Sequence, residues 1–315
     1  MSRTYVIGTR GSRLALRQVE MVVEVLRAAA PDVAIEVREI KTEGDGSNAP
    51  LSEIGGLGVF TKAIEDALLA GTVDIAVHSL KDLPPDLPQG LTIGAVPPRG
   101  DVRDALVTRG GAKLADLPAG ARIGTGSGRR AVMLRALRSD VQPVEIRGNV
   151  DTRIRKVESG DYDAAVLAMA GLERLGLLEK AAQIFEADEM TPAVGQAALA
   201  IEVRADDADA LTLVGTIDHW QTRAAVEAER GFLRRLGAGC RLPVGAYAWI
   251  DGESLFMQGM LATDGAEPIV ADYQSSFVAT QRIDDYKRVM LREAAQVGAD
   301  FADYMLAQVA EQAQA

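Results

Sequence analysis

The residues with the most chemistry in them lie in one run, Val73-Asp74-Ile75-Ala76-Val77-His78-Ser79-Leu80-Lys81-Asp82-Leu83-Pro84-Pro85. Its first five residues are a short apolar stretch with β-branched members, which reads as a buried strand. The strand ends in His78, Ser79, Lys81 and Asp82, and two prolines then forbid a helix. Four polar side chains thus crowd the carboxyl end of a core strand, where open α/β sheets place their ligands. A turn with a solvated Lys81–Asp82 pair fits the same residues. The positive charge gathers at Arg10, Arg13 and Arg17, at Arg129, Arg130, Arg135 and Arg138, and at Arg147, Arg153 and Arg155. Arginine suits bidentate pairing with carboxylate or phosphate. Arg17, Arg135 and Arg138 read instead as solvated helix faces.

The chain of 315 residues carries a net charge of −11. That argues against a nucleic-acid surface, which needs positive potential. Clustered arginines in an acidic chain point to a small polyanionic ligand. The single cysteine, Cys240, allows no intrachain disulfide. Two histidines and one cysteine, far apart, give no zinc spacing, so no metal is expected. No stretch is long enough to span a membrane. The first residues enter a strand without a signal-peptide core, which leads to a cytoplasmic expectation.

The elements that must position these side chains follow from pattern. Tyr5–Thr9 reads as a strand, Ser12 as a helix cap, and Arg13–Ala29 as an amphipathic helix. A strand, a Gly-Ser turn and a helix N-terminus make an anion site by geometry. Thr42–Gly58 reads as a long functional loop, often a lid, and Phe60–Ala70 as a helix stopped by Gly71. Leu91–Val96 is a strand, and Pro97-Pro98-Arg99-Gly100 a hinge. Asp104–Thr108 opens a second unit. Ile7-Gly8-Thr9 with its Gly-Ser turn repeats as Ile123-Gly124-Thr125 with Gly126-Ser127-Gly128. Gly71-Thr72-Val73-Asp74-Ile75-Ala76-Val77 repeats as Gly160-Asp161-Tyr162-Asp163-Ala164-Ala165-Val166. The repeats predict two similar α/β halves. Val144–Gly148 is a strand end, Asn149 starts a basic helix, Thr191–Gln196 is a return hinge, and Ala198–Arg204 is a strand. Thr222–Leu236 is a helix. Val244–Ile250, Leu255–Ala262 and Pro268–Phe277 are strands, with a turn at Asp251-Gly252. Asp284–Gln308 is a closing helix. This tail reads as a small α+β domain.

Cys240 stands between Gly239 and Arg241, and a neighbouring arginine favours the reactive thiolate. In this order and spacing, several segments together resemble the porphobilinogen deaminase (hydroxymethylbilane synthase) family. They are Ile7–Ser12, Ala76–Asp82, Arg147–Arg153, Ala170–Gly176, Pro192–Gln196 and Gly239–Gly245. The resemblance covers nearly the whole chain. It implies two lobes of periplasmic-binding-protein type with a double crossover, plus the α+β tail. The domains would be 1–97 with 197–216, 98–196, and 217–315.

It also implies a dipyrromethane cofactor in thioether linkage to Cys240. Four porphobilinogen molecules would be condensed head to tail with release of ammonia, and water would free the linear tetrapyrrole of haem-type biosynthesis. Asp82 would be the catalytic acid and would hold its charge near the azafulvenium cation. Lys81, Asp82, Thr125, Ser127, Arg129, Arg130 and Cys240 would hold the cofactor. Arg10, Ser12, Gln18, Arg147, Arg153 and Arg174 would hold substrate carboxylates. The enzyme would be a monomer acting on a small molecule, with no nucleic-acid or membrane partner. Three motifs depart from the family pattern: Leu57 in a Gly-Gly-Lys-Gly lid, Gly126 and Gly128 in a Ser-Ser-Leu-Arg-Arg run, and Ala197 after Gln196 in place of Gly-Gln-Gly. A two-lobed binding protein for an anionic metabolite, without catalysis, is the rival reading.

Overall fold

The computed structural model describes residues 3–41, 61–237, 242–263, 268–277 and 286–312. The first elements are β1 (Thr4–Thr9), α1 (Arg13–Ala29), β2 (Ala34–Glu39), α2 (Lys62–Leu69), β3 (Ile75–Ser79) and β4 (Leu91–Ala95). Then come β5 (Asp104–Thr108), β6 (Arg122–Gly124), α3 (Gly128–Leu137), β7 (Gln142–Val144), α4 (Val150–Glu158), β8 (Ala164–Ala168), α5 (Met169–Arg174) and β9 (Ala181–Phe185). The last are β10 (Leu199–Arg204), α6 (Ala208–Gly215), α7 (Trp220–Arg235), β11 (Val244–Asp251), β12 (Ser254–Leu261), β13 (Ile269–Ser276) and α8 (Tyr286–Gln312). The loop expected at Thr42–Gly58, and Leu57 with it, lies outside the described residues.

The chain divides into two compact units, Met1–Gly100 with Ala197–Arg223, and Asp101–Gln196 with Ala224–Ala315. Unit 1 holds a sheet of order β2-β1-β3-β10-β4. β1 is parallel to β2 and β3, while β10 is antiparallel to both β3 and β4. Unit 2 holds a sheet of order β7-β6-β8-β5-β9 with the same pattern of directions. In each sheet the antiparallel member, β10 or β5, is the first strand after the chain enters that unit. Unit 2 also holds the antiparallel meander β11-β12-β13. The two α/β sheets and the α+β tail are the fold class read from the sequence.

Local chemistry explains the repeats. β3 and β8 are almost wholly buried, so their sequences are near-continuous apolar runs. Gly71 and Gly160, at φ 68° and 86°, stop the preceding helices in the left-handed region. The Asp74 carboxylate accepts the Val6 N–H at 3.0 Å, and the Asp163 carboxylate accepts the Arg122 N–H at 2.7 Å. Each aspartate therefore fastens the start of its central strand to the parallel strand beside it. The α1 stripe Val19, Val22, Val23 and Leu26 packs with Ile75, Val77 and Ile201. In unit 2, Met133, Leu134 and Phe185 share one core with Met260 and Ala262 of the meander region.

Several details differ from expectation. β3 continues through His78 and Ser79, and a 3₁₀ turn at Leu80–Asp82 precedes the prolines. β7 stops at Val144, ahead of the strand end expected at Val144–Gly148. β9 was not anticipated; it lies at the edge of its sheet, and only Phe185 of its residues is buried. The hairpin between β11 and β12 is closed by the Asp251–Ser254 pair with Gly252 at φ 57°, one residue later than predicted.

Candidate active site

In unit 1 the site residues are set by β3, β10 and α1. Lys81 and Asp82 are half-buried on the 3₁₀ turn. The Leu80 N–H donates to the Ala198 carbonyl at 3.0 Å, so pairing with the β10 side continues past the strand end. Gln18, 3% exposed, donates through Nε2 to the Ser79 hydroxyl at 2.9 Å. This contact fixes α1 to the end of β3. Ser12 caps α1, its Oγ accepting the Ala15 N–H at 3.3 Å. Arg10 is half-buried beside that helix start. His78 does not join the turn. It is buried in the sheet, with Nε2 and Glu202 Oε2 2.9 Å apart. Of the four polar side chains expected at the carboxyl end of the strand, Ser79, Lys81 and Asp82 remain. The strand's alternation carries His78 to an inner face instead.

In unit 2 the arginines are drawn inward. Ser127 caps α3, accepting the Arg130 N–H at 3.4 Å, and Thr125 Oγ1 accepts the Ser127 N–H at 3.1 Å. Arg129 and Arg130 donate to opposite oxygens of Asp104 at 2.7 and 2.6 Å. Arg129 also donates to the Thr191 carbonyl, and Arg130 to the Val166 carbonyl at 2.9 Å. Gln196 adds its Nε2 to Asp104 at 2.9 Å and to the Val102 carbonyl at 2.7 Å. All four side chains are buried. Burial alone would push the Asp104 carboxyl up. The guanidiniums of Arg130 and Arg129 outweigh it and hold the group well below the usual carboxylate range. Burial, aided by Arg130, lowers Arg129 against the pull of Asp104.

The other predicted residues are spread along unit 2. Arg147 is half-buried and pairs with Glu145 at 2.7 Å. Arg153, on α4, donates through Nε to the Gly148 carbonyl at 2.8 Å. Arg174, at the end of α5, is lowered to about 10 by burial. Arg17 and Arg135 are the surface residues expected, Arg17 pairing with Glu20 and Glu24. Arg138 is not merely solvated, since it donates to the Leu114 carbonyl at 2.6 Å as well as pairing with Asp140. Cys240 lies outside the described residues. A Cβ added at Gly126 or Gly128 would meet nothing closer than 3.4 Å and 3.8 Å respectively. These departures cost a hydroxyl rather than a required glycine geometry.

Two guanidiniums against one carboxylate leave one net positive charge buried in this cluster. The Nε atoms of Arg129 and Arg130 are buried without hydrogen-bond partners. Burying an uncompensated charge is expensive, so a ligand carboxylate is a fitting counter-ion. These residues fit a carboxylate-bearing cofactor. Among the described residues, no group of three or more His, Cys, Asp or Glu has metal-holding geometry.

Residues 5–212 match the family model for the porphobilinogen deaminase dipyromethane cofactor binding domain, and residues 223–307 match that for its C-terminal domain. The chain belongs to the porphobilinogen deaminase family. It is 51% identical over 267 residues to the porphobilinogen deaminase of Roseiflexus sp. (strain RS-1), covering 84% of this chain and 88% of the relative. It is 50% identical over 273 residues to that of Desulforudis audaxviator, covering 86% and 88%. Among solved structures, an arginine-specific periplasmic binding protein of Salmonella typhimurium aligns with 69% of this chain and 92% of its own at 12% identity and a TM-score of 0.39. Membership of the porphobilinogen deaminase family makes the chain a transferase of tetrapyrrole biosynthesis with a dipyrromethane cofactor, and the rival binding-protein reading falls away. Among the described residues no helix is long and apolar enough to cross a membrane.

Asp104 and Gln196 were missed as site residues. The signal was present for Asp104, since a carboxylate opening the apolar run Asp104-Ala105-Leu106-Val107 must find a buried cation.

Proposed function

We propose that this chain condenses four porphobilinogen molecules into hydroxymethylbilane, with Asp82 as its catalytic acid and Cys240 as the thioether attachment point. When bound, the dipyrromethane supplies the pyrrole end on which the new chain is built. Thr125, Ser127, Arg129, Arg130 and Lys81 hold its carboxylates. Arg10, Ser12, Arg147, Arg153 and Arg174 hold those of the incoming substrate, while Gln18 positions Ser79 beside the acid. The observation that carries this assignment is the buried excess of positive charge around Asp104 in an acidic chain.

Asp82 donates a proton to the substrate amine as the carbon–nitrogen bond breaks, and ammonia leaves. Its carboxylate then opposes the positive charge left on the substrate pyrrole. It takes up the proton displaced when the new carbon–carbon bond forms. The working arrangement is a cytoplasmic monomer of three domains, 1–97 with 197–216, 98–196, and 217–315.

The intact mass of active protein tests the attachment. The expected mass exceeds that of the chain by one dipyrromethane, with the thiol blocked, and Cys240→Ala removes both features. Active protein of unmodified mass with a titratable thiol refutes it.

A further inference from the structure

A second buried polar group in unit 1 has no part in the chemistry above. β3 alternates, so Ile75 and Val77 join the core with α1, while Ala76 packs with Ile64 and Leu68 of α2. His78, two residues beyond Ala76, shares the α2 face. On β10, Leu199, Ile201 and Val203 face the α1 core, which turns Glu202 to the α2 side. Glu202 lies opposite Ala76 in the register, and His78 opposite Ala200. The two polar residues are therefore diagonal neighbours, and they meet at 2.9 Å. Glu65 comes down from the first turn of α2. Glu65 and His78 are each 6% exposed, and Glu202 is 0% exposed. Oε1 of Glu65 and Oε1 of Glu202 are buried without hydrogen-bond partners.

Two carboxylates and one imidazole cannot all be buried in their common neutral-pH forms. That state places two negative charges in a largely apolar layer, without the geometry to hold a metal ion. Protons are the available remedy. Burial, and then the nearby Glu202 charge, raise the Glu65 carboxyl; Thr61, by a hydrogen bond, and His78 oppose the rise. Asp66, the other titratable group acting on Glu65, is exposed.

We propose that Glu65 is held as a neutral carboxylic acid over the His78–Glu202 pair, and that this cluster positions the Lys81–Asp82 turn. Ionising Glu65 sets a second carboxylate against Glu202 and pushes the first turn of α2 away from β3 and β10. Those two strands carry the turn, because Asp82 follows His78 by four residues and Leu80 is bonded to Ala198. The cluster thus sets an upper pH limit on the working geometry of Asp82. Glu65, His78 and Glu202 are positioning residues, since they act through the turn. The inference rests on Asp82 being the acid.

Two measurements test it. Infrared spectra of the wild-type protein, with and without ¹³C-labelled glutamate, are taken across neutral and alkaline pH. A protonated glutamic acid band at neutral pH, lost at alkaline pH and absent in Glu65→Gln, is expected. The kcat profile of wild-type holoenzyme is then compared with that of Glu65→Gln, whose amide cannot ionise. The variant is expected to keep the neutral-pH kcat and KM and to lose the alkaline fall in kcat. No protonated glutamate at neutral pH in the wild type overturns the proposal, whether or not the variant folds. An alkaline fall identical in both proteins overturns the positioning role. Failure of the Asp82 assignment is told apart because the infrared band is read without turnover.

Discussion

β3 of unit 1 and β8 of unit 2 hold the same place in two sheets of the same order, yet they serve different ends. β3 runs into a short 3₁₀ turn that leaves Lys81 and Asp82 half-buried. β8 runs into α5, and the buried charge of unit 2 sits instead on β5 and α3. The strand–helix junctions make the contrast sharper. Ser12 caps α1 and Ser127 caps α3 in the same way. The arginines beside Ser12 stay half-buried or exposed, whereas those beside Ser127 are 4% and 7% exposed. The register adds a second difference. Asp104 pairs with Ala168 at the end of β8, and Leu199 pairs with Ser79 at the end of β3. One sheet offers a carboxylate at that position and the other a leucine. A repeated backbone thus supplies two serine-capped helix starts with their arginines at different places: Arg10 and Arg13 flank Ser12, whereas Arg129 and Arg130 follow Ser127 by two and three residues and meet Asp104.

The largest effect should fall on the unit 1 turn. Asp82→Asn keeps shape and hydrogen bonding but removes the charge and the proton. Single-turnover rates on protein already carrying its primer should drop by roughly 10²–10⁴-fold, with normal folding. A near-normal rate removes Asp82 from the mechanism and leaves unit 1 as a binding surface. Next come the pinned arginines. Arg129→Leu or Arg130→Leu strips Asp104 of a partner, and breaking a buried pair costs about 3–5 kcal/mol. Both variants should therefore lose thermal stability as well as cofactor loading, unlike Arg10→Leu in unit 1, which should lose function alone. Denaturant melts alongside intact masses check this, and equal stability losses at all three positions would erase the contrast.

The smallest effect concerns Ala197, which sits at φ 68° where the family commonly has glycine. A left-handed alanine costs roughly 1–2 kcal/mol. Ala197→Gly should stabilise the protein by about 0.5–1 kcal/mol, part of the relief being offset by the freer unfolded chain. A lower melting point would show that the strain is absent.

Much of the framework was legible because local rules agreed with tertiary demand. Ser12 capped the helix it preceded, and the G-x-x-D-x-A-V repeat marked two helix stops and two central strands. What hid was pairwise. His78 read as a site residue because its burial depends on Glu202, which is 124 residues away. Arg129 and Arg130 read only as cofactor-holding groups, because nothing local announces Asp104 and Gln196. Glu229 was unseen for the same reason. It is wholly buried on α7, accepting the Gly195 N–H at 2.6 Å and the Ala248 N–H at 2.9 Å. Standing between Ala228 and Arg230, it has neighbours in sequence that announce neither its burial nor its partners.

The placing of β10 between β3 and β4 has a consequence for the order of events on the ribosome. The five strands of the unit 2 sheet, β5 to β9, emerge as one uninterrupted stretch. The unit 1 sheet cannot close that way, because among the described residues β4 has β10 as its only neighbour in the sheet. That neighbour is translated about a hundred residues later, a delay of roughly 5–20 s at ordinary elongation rates. During that interval β4 and one edge of β3 are nascent strands without their partner. The lobe that begins the chain is therefore the one that must wait, and a chaperone or the ribosome surface has a defined edge to shield until Leu199–Arg204 arrives.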